Sequence, residues 1–248
     1  MNENPIISLE RAVHACFPPE QQQLQVVAAR PYGASSRGRT ARVTARLPDA
    51  SLAHINQVSA TTGKFGSDVP HYQAGFSFEP ASYSYWADCF TSWITEIFDQ
   101  DTAVNGQWPA YEAAFKDLIC KTIPRLLLPL QENGRKIIPV LVHGNLSTNN
   151  LGIRLADGTP VLFSPCAAYA HQEFELGVSQ LAIGGLDKTF VDQYLRMVLP
   201  SEPIDEVYHR IILYGVHFNL RLSASHAGQF RERIYTDMLF LNGMYAEN

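Results

Sequence analysis

The sequence predicts an α+β fold: a mainly helical body with one embedded β-hairpin, residues 51–248, preceded by a small β-containing unit, residues 1–50. Apolar residues recur at helical spacing over most of the body. Strand-like runs before residue 50 are few and short. Within the body, Asp157-Gly158 lies between two apolar runs, 151–155 and 160–163. An Asp-Gly pair in this setting is typical of a hairpin, because the turn requires a residue that tolerates positive φ.

The first 60 residues predict a helix, two strands and a second helix. Residues 5–17 have apolar side chains at helical spacing, and two prolines follow them. Residues 24–30 and 40–47 predict strands, joined by a glycine-containing loop at 31–38. Apolar positions return to helical spacing at 52–59.

The body contains the stronger helical patterns. Residues 83–98 predict an amphipathic helix with a broad aromatic and aliphatic face. Residues 109–130 predict another, which begins at a proline and which Pro124 kinks or divides. A loop rich in Pro, Gly and Ser precedes the first of them, at 66–80. Further helices are expected at 173–182, 187–199, 203–222 and 229–245.

Composition excludes several classes of partner. The chain has 248 residues and a net charge of −5, which argues against nucleic acid because phosphate binding needs clustered positive charge. No apolar run approaches the ~20 residues that a membrane span needs, and the first residues do not resemble a signal peptide. The four cysteines are scattered, with neither metal-ligand nor disulfide spacing. We therefore expect a cytoplasmic protein with reduced thiols and no metal site.

Short motifs spread along the chain suggest a family. They are Gly33-Ala-Ser, Thr62-Gly-Lys-Phe-Gly66, the pair Trp86 and Trp93, Ile123-Pro-Arg-Leu126, Leu141-Val-His-Gly144, Asn150 and Tyr169-Ala-His-Gln-Glu-Phe-Glu175. In this order they resemble the fructosamine or ketosamine kinases, in the aminoglycoside-phosphotransferase-like branch of the protein-kinase fold. The resemblance is closest to the fungal members. It implies that residues 51–248 form a kinase-like C-terminal lobe and that residues 1–50 are the remnant of a truncated N-terminal lobe.

Three departures from the family pattern concern its chemistry. The family has an aspartate as general base where this chain has Asn145, and a neutral amide cannot accept the proton. It has a Mg²⁺-ligating aspartate where this chain has Ser164, although Asn150 keeps the other ligand position. No lysine precedes Lys64, so the phosphate-holding lysine has no candidate. From these losses we expect kinase activity to be unlikely and no cofactor to be used.

The sequence still nominates candidate site residues. The candidate catalytic residues are His143, Asn145, Ser164, His171 and Glu173. The candidate ligand-binding residues are Asn149, Asn150, Phe163, Tyr169, Trp86, His217 and Asn219. Structural alternatives stay open for several of them: His143 as a support of the loop, His171 and Glu173 as anchors of a helix start, and Trp86 as core.

These residues lead to three functional hypotheses. An uncovered cleft floor of amides, hydroxyls and imidazoles suits a small, largely hydrophobic molecule. The main expectation is a cofactor-independent cyclisation or isomerisation, of the pericyclase kind, in fungal secondary metabolism. The first alternative is a non-catalytic pseudokinase that binds or scaffolds, and the second is a residual fructosamine or ribulosamine 3-kinase. The exposed apolar floor also favours a homodimer.

Overall fold

This computed structural model describes residues 25–35, 38–46, 59–73, 76–153, 160–183 and 185–245, and a strand pair opens the described part of the chain. β1 (Gln25–Ser35) pairs antiparallel with β2 (Gly38–Arg46). The loop expected at 31–38 is wrong, because β1 continues to Ser35. Register shifts in the ladder accommodate Pro31, which has no N–H to donate.

Three other expectations fall wholly or largely outside the described residues. They concern the helix at 5–17, all but the last residue of the helix at 52–59, and the Asp157-Gly158 turn. The two strands that flank this turn are described, and they are β8 (Leu151–Ile153) and β9 (Pro160–Leu162). They pair antiparallel, so the predicted hairpin is confirmed. β2 lies against β9.

A small antiparallel sheet brings together strands that are far apart in the chain. Its order is β6 (Ala81–Tyr83), β3 (Phe65–Ser67), β10 (Ala168–Ala170) and β7 (Val140–Val142). Gly66 has a φ of 119°, and a Cβ there would lie 2.0 Å from the Ala81 carbonyl oxygen. Only glycine allows this approach.

A second strand pair follows β3 in the chain. β4 (His71–Gln73) and β5 (Phe76–Phe78) pair antiparallel. These strands, like the last two residues of β3, replace part of the loop expected at 66–80, because that region finds its backbone partners within itself and in β6.

The two long helical patterns fold as predicted, with shifted ends. α1 (Trp86–Asn105) begins later and ends later than the predicted 83–98, and Gly106 with a φ of 80° follows its last residue. α2 (Pro109–Asp117) is separated from α3 (Ile123–Leu127) by a π-helical turn, Leu118–Thr122. The predicted division at Pro124 is confirmed, because proline lacks an N–H and its ring excludes the carbonyl four residues earlier. A 3₁₀ turn, Leu128–Gln131, completes the segment.

After β10, the described elements are helices that pack around a central one, α5 (Val207–Ser225). A 3₁₀ helix, Gln172–Gln180, replaces the α-helix expected at 173–182. α4 (Lys188–Met197), a short 3₁₀ turn (Ile204–Glu206) and α6 (Arg231–Met244) match the remaining patterns. Among the described residues, no helix combines the length and apolar character that a membrane crossing requires.

Two glycines set the distance between α5 and the 3₁₀ helix. A Cβ at Gly177 would lie 2.7 Å from the Tyr214 backbone, and one at Gly215 would lie 2.3 Å from the Gln180 side chain. Both elements therefore need a residue without a side chain at this crossing, and the close contact fixes their relative position.

The aromatic core surrounds Trp86, which is fully buried. Its indole N–H donates to the Tyr214 hydroxyl over 2.9 Å. Five rings lie with their centroids 5.5–6.1 Å from its own: Phe65, Phe90, Trp93, Phe174 and Tyr214. Such tilted and edge-on contacts suit the ring quadrupoles, so Trp86 takes the core role that the sequence left open.

A buried ion pair ties the 3₁₀ helix to α5. The Arg210 guanidinium donates to both oxygens of Glu173, at 2.7 and 3.0 Å, and both side chains are fully buried. Arg210 also donates to the carbonyls of Ser201 and Pro203, at 2.8 Å each. Nearly every polar atom of the pair is therefore satisfied without water.

The buried pair predicts a large stability loss when its cation is removed. In Arg210→Met the Glu173 carboxylate stays buried without its partner, which costs about 3–5 kcal/mol of unfolding free energy in urea titrations. The matched control is Lys188→Met, which breaks a largely exposed Lys188–Asp192 pair on α4 and costs about 0.5 kcal/mol or less. Equal losses in the two variants would contradict this account.

His171 predicts a pH dependence of stability. Burial lowers its pKa from 6.5 to about 4, so its imidazole is neutral in the fold. Because the unfolded chain binds the extra proton below about pH 6.5, stability falls as pH drops from 6.5 to 4, by about 3 kcal/mol for this group. In His171→Gln the fall between pH 7 and 5 becomes shallower than in the wild type. In His226→Gln, which changes an exposed histidine, it does not, and equal slopes in all three proteins would contradict the prediction.

Candidate functional site

A buried carboxylate holds the start of the loop between β7 and β8, residues 143–150. Glu175 of the 3₁₀ helix accepts hydrogen bonds from the backbone N–H groups of His143 and Gly144, the latter at 3.2 Å from each oxygen. Burial raises the pKa of Glu175 to about 7, while those N–H groups and the Arg221 charge oppose the rise. The start of the loop is therefore fixed to a rigid helix.

Gly144 lets the loop approach the segment after the hairpin. Its φ is 68°, and a Cβ there would lie 2.2 Å from the Cys166 carbonyl oxygen. The Cys166 N–H donates to the His143 carbonyl over 2.8 Å. A side chain at residue 144 would push these two segments apart, so close packing requires glycine at this position of the Val-His-Gly motif.

His143 supports the loop as a neutral ring. Its Nδ1 accepts from the Asn145 N–H at 3.3 Å, so Nε2 bears the proton and donates to the Phe163 carbonyl at 3.0 Å. Burial lowers the pKa of His143 to about 4. The ring thus joins the loop to the end of β9, which is the supporting role that the sequence left open.

Four candidate residues meet at the end of the hairpin. The Asn145 side-chain amide donates to the Ser164 carbonyl over 2.9 Å, and the Asn150 amide donates to the Asn145 carbonyl over 2.6 Å. The Phe163 N–H donates to the Asn150 carbonyl over 2.9 Å. Ser164 is exposed and has a φ of 53°, a conformation that Asn and Asp adopt more readily than serine. Asn145, Asn150, Phe163 and Ser164 therefore form one hydrogen-bonded group.

Arg221 of α5 belongs to this group, although the sequence did not nominate it. One guanidinium nitrogen donates to the Gly144 carbonyl and another to the Asn145 side-chain oxygen, both over 3.1 Å. Burial lowers the pKa of Arg221 to about 10, which leaves it charged at neutral pH. The available signal was an arginine four residues after His217, flanked by Leu220 and Leu222 in a strongly apolar stretch of the predicted helix. Glu175 was likewise within a quoted motif but was not nominated.

The remaining catalytic candidates have partners in the core. His171 accepts from the Tyr214 hydroxyl at its Nδ1 and donates to the Ser201 hydroxyl at its Nε2, both over 2.8 Å. Glu173 accepts from Arg210 and, over 2.6 Å, from the Ser201 N–H. These contacts suit the anchoring alternative rather than proton transfer.

The ligand-binding candidates divide between the loop and the core. Asn149 is exposed in the loop, and Tyr169 is half-buried in β10 beside Leu141. His217 lies in the aromatic core, 5.2 Å from the Phe174 ring between centroids. Asn219 bonds the backbone at Gln180 and Ala182, at 2.8 and 3.0 Å. The last two, like Trp86, are thus placed among packing residues and away from the hydrogen-bonded group around Asn145.

The donors at the loop do not match the metal site that the resemblance implies. Asn150 offers an amide and Ser164 a hydroxyl, whereas protein sites for Mg²⁺ use one or two carboxylates together with substrate phosphates. Among the described residues, no three His, Cys, Asp or Glu side chains are grouped closely enough to hold a metal ion. The residues present therefore do not fit a Mg²⁺ ion held by protein carboxylates.

Comparison with known sequences assigns the chain to a family. A family model described as Fructosamine kinase matches residues 40–239. A protein of Staphylococcus aureus (strain NCTC 8325 / PS 47) named as a ketoamine kinase is 27% identical over 143 residues, which cover 58% of this chain and 47% of that protein. The chloroplastic protein-ribulosamine 3-kinase of Oryza sativa subsp. indica is 36% identical over 95 residues, 37% of this chain and 26% of that protein. The chain spans about half the length, or less, of these relatives.

Solved structures show the same fold. A protein of Thermobifida fusca named as a fructosamine-3-kinase aligns with a TM-score of 0.65 and 16% identity, over 88% of this chain and 94% of its own. A protein of Haemophilus somnus 129PT with a similar name aligns with a TM-score of 0.61 and 15% identity, over 88% and 72%. The expected kinase-like fold is confirmed.

These matches correct two expectations. The cyclisation or isomerisation expected in secondary metabolism is wrong, since the family and the named relatives are kinases. The expectation that kinase activity is unlikely is contradicted by the same matches, because it weighed the missing carboxylates and not the retained loop framework. The division of the chain at residue 50 stays a prediction. Because the family model matches well over half of its residues, the chain belongs to the fructosamine kinase family.

Proposed function

We propose that the chain is an ATP-dependent phosphotransferase that acts on a sugar hydroxyl of a ketoamine. Family membership and relatives named for ketoamine and ribulosamine substrates support this substrate class. The observation on which the proposal depends is the intact framework of the loop, with Glu175, His143 and Arg221 all bonded to it. The homodimer and the cytoplasmic location expected from the sequence stay predictions.

The framework matters because phosphoryl transfer asks little covalent chemistry of the protein. The substrate oxygen forms a bond to the γ-phosphorus while the bond from that phosphorus to the ADP oxygen breaks, and catalysis is mainly positioning and charge stabilisation. A loop clamped on both sides of the Gly144 peptide meets the positioning requirement. It places residue 145 directly after the Gly144 N–H that Glu175 holds, with its side-chain amide bonded to the Ser164 carbonyl.

Asn145 then acts by orientation. Its side-chain oxygen has a second lone pair, besides the one that faces Arg221, with which to accept a hydrogen bond from the substrate hydroxyl. As a neutral amide it does not take the proton, which passes to water or to an oxygen of the transferred phosphoryl group. Because a positioned general base contributes about 10²–10⁴ in rate, we expect turnover lower by about that factor than in a relative with a carboxylate at this position.

The proposed phosphotransfer can be measured directly. The chain, incubated with Mg²⁺, radiolabelled ATP and a ketoamine-bearing protein, transfers label to the ketoamine. Asn145→Ala and Asn150→Ala lower the rate by about 10²-fold, because both changes release the loop from its geometry. The matched control is Gln193→Ala, which removes an exposed amide on α4 and leaves the rate unchanged. Absence of transfer by the folded wild-type chain would overturn the proposed function.

A substitution at residue 164 tests whether the nucleotide phosphates bind next to it. Ser164→Asp adds a carboxylate where the family has one, at a φ that aspartate tolerates, and tightens Mg·ATP binding about tenfold or more by calorimetry. The matched control is Asn133→Asp, which adds the same charge on an exposed turn at the same φ of 53° and leaves affinity unchanged. Equal affinities in Ser164→Asp, Asn133→Asp and the wild type would place the nucleotide phosphates elsewhere.

A further inference from the structure

Arg221 is a buried cation that donates hydrogen bonds to the loop of residues 143–150, so its contacts there go beyond packing. Only 5% of its surface is exposed, and its guanidinium carbon lies 5.2 Å from the centre of the Phe218 ring. Gly144 is bonded on both sides, its N–H to Glu175 and its carbonyl to Arg221. A buried cation is costly to retain unless its donors are used, so its contacts with residues 144 and 145 are a built feature.

The hydrogen bonds of Asn145 account for all four of its polar groups. Its backbone N–H donates to His143 and its carbonyl accepts from Asn150. Its side-chain oxygen accepts from Arg221, and its side-chain nitrogen donates to the Ser164 carbonyl. The amide therefore bridges a cation to a carbonyl, with its orientation set by the cation, because only the oxygen end of the amide can face a guanidinium.

A carboxylate could not make this bridge. It would accept from Arg221, but its other oxygen would face the Ser164 carbonyl oxygen at the 2.9 Å now spanned by an N–H bond. Asparagine is consequently the residue that matches this arrangement of Arg221 and Ser164. The charged group on the other side of Gly144 is Glu175. The thiol of Cys166 lies close enough to both Arg221 and Glu175 for their charges to act on it.

We propose that Arg221 is a positioning residue that fixes the orientation of the Asn145 amide, so that the loop is held by a cation–amide–carbonyl bridge from Arg221 to Ser164. The bridge joins α5, the loop and the end of the hairpin without a protein-held metal ion. In its kinetic consequence the inference rests on the proposed phosphotransfer, whereas the bridge itself is independent of it.

The structural arm of the test uses the side-chain NH₂ signals of Asn145 in ¹H–¹⁵N spectra, assigned by their loss in Asn145→Ala. In the wild type these protons exchange slowly with water. In Arg221→Met, exchange becomes at least tenfold faster, while Arg221→Lys, which retains the charge but not the forked donors, gives an intermediate rate. The control Arg196→Met changes an exposed arginine of α4 and leaves exchange unchanged. Unaltered exchange in a folded Arg221→Met protein would overturn the bridge.

The kinetic arm uses a double-mutant cycle. Arg221→Met lowers kcat about 10²-fold with little change in KM, because the amide loses its orientation and the substrate contacts are kept. The double variant Arg221→Met, Asn145→Ala is no slower than Asn145→Ala alone, since both changes remove the same bridge. Additive losses, in variants with native melting transitions, would show that Arg221 acts independently of Asn145 and would overturn the positioning role. Absence of phosphotransfer by the wild type would instead count against the proposed function, and the exchange arm would still decide the bridge.

Discussion

The Glu175 carboxylate, which has no contact with solvent, accepts the first two backbone N–H groups of the loop and so determines where that loop lies. Without this acceptor, the two N–H groups would lose their bonds to Glu175 inside the protein, at a cost of about 1–3 kcal/mol each. Burial raises the pKa of Glu175 and the N–H groups oppose this rise, so the carboxylate and the loop backbone depend on each other. The loop is thus ordered by a group that is itself fully buried.

The same 3₁₀ helix holds a second carboxylate two residues earlier, and the pair links the site to the core. Glu173 bonds Arg210 on α5, while Glu175 bonds the loop. Arg221, on the same α5 as Arg210, returns to the loop from the other side. Close packing at Gly177 and Gly215 keeps the 3₁₀ helix and α5 at a fixed separation. The loop is therefore clamped between two elements whose spacing cannot change without a clash in the core.

Local patterns predicted the elements, and contacts between distant residues decided the rest. Pro124 and the flanks of the Asp157-Gly158 turn act within a few residues, so an interruption of the helix near Pro124 and the β8–β9 hairpin could be predicted. The sheet could not, because Gly66 pairs with Tyr169, about a hundred residues later. Arg221 was missed for the same reason: a buried cation is explained only by its partners, Gly144 and Asn145, which lie far away in the chain. The nominated loop residues Asn145 and Asn150 lie together in the structure, whereas His217 and Asn219 pack in the core, and the roles assigned to all of them stay predictions.

The expectation that kinase activity is unlikely treated the residues at positions 145 and 164 as independent of each other. From the sequence, Asn145 and Ser164 are two separate losses of charge, and two losses argue strongly against phosphotransfer. In the structure they are one bonded unit, since the Asn145 amide donates to the Ser164 carbonyl and accepts from Arg221. The acceptor on Ser164 is its main-chain carbonyl, which is present whatever side chain residue 164 carries. The buried guanidinium satisfies the acceptor that the amide presents to it. An asparagine at residue 145 therefore keeps the loop bonded to both α5 and the end of the hairpin, although residues 145 and 164 carry no charge.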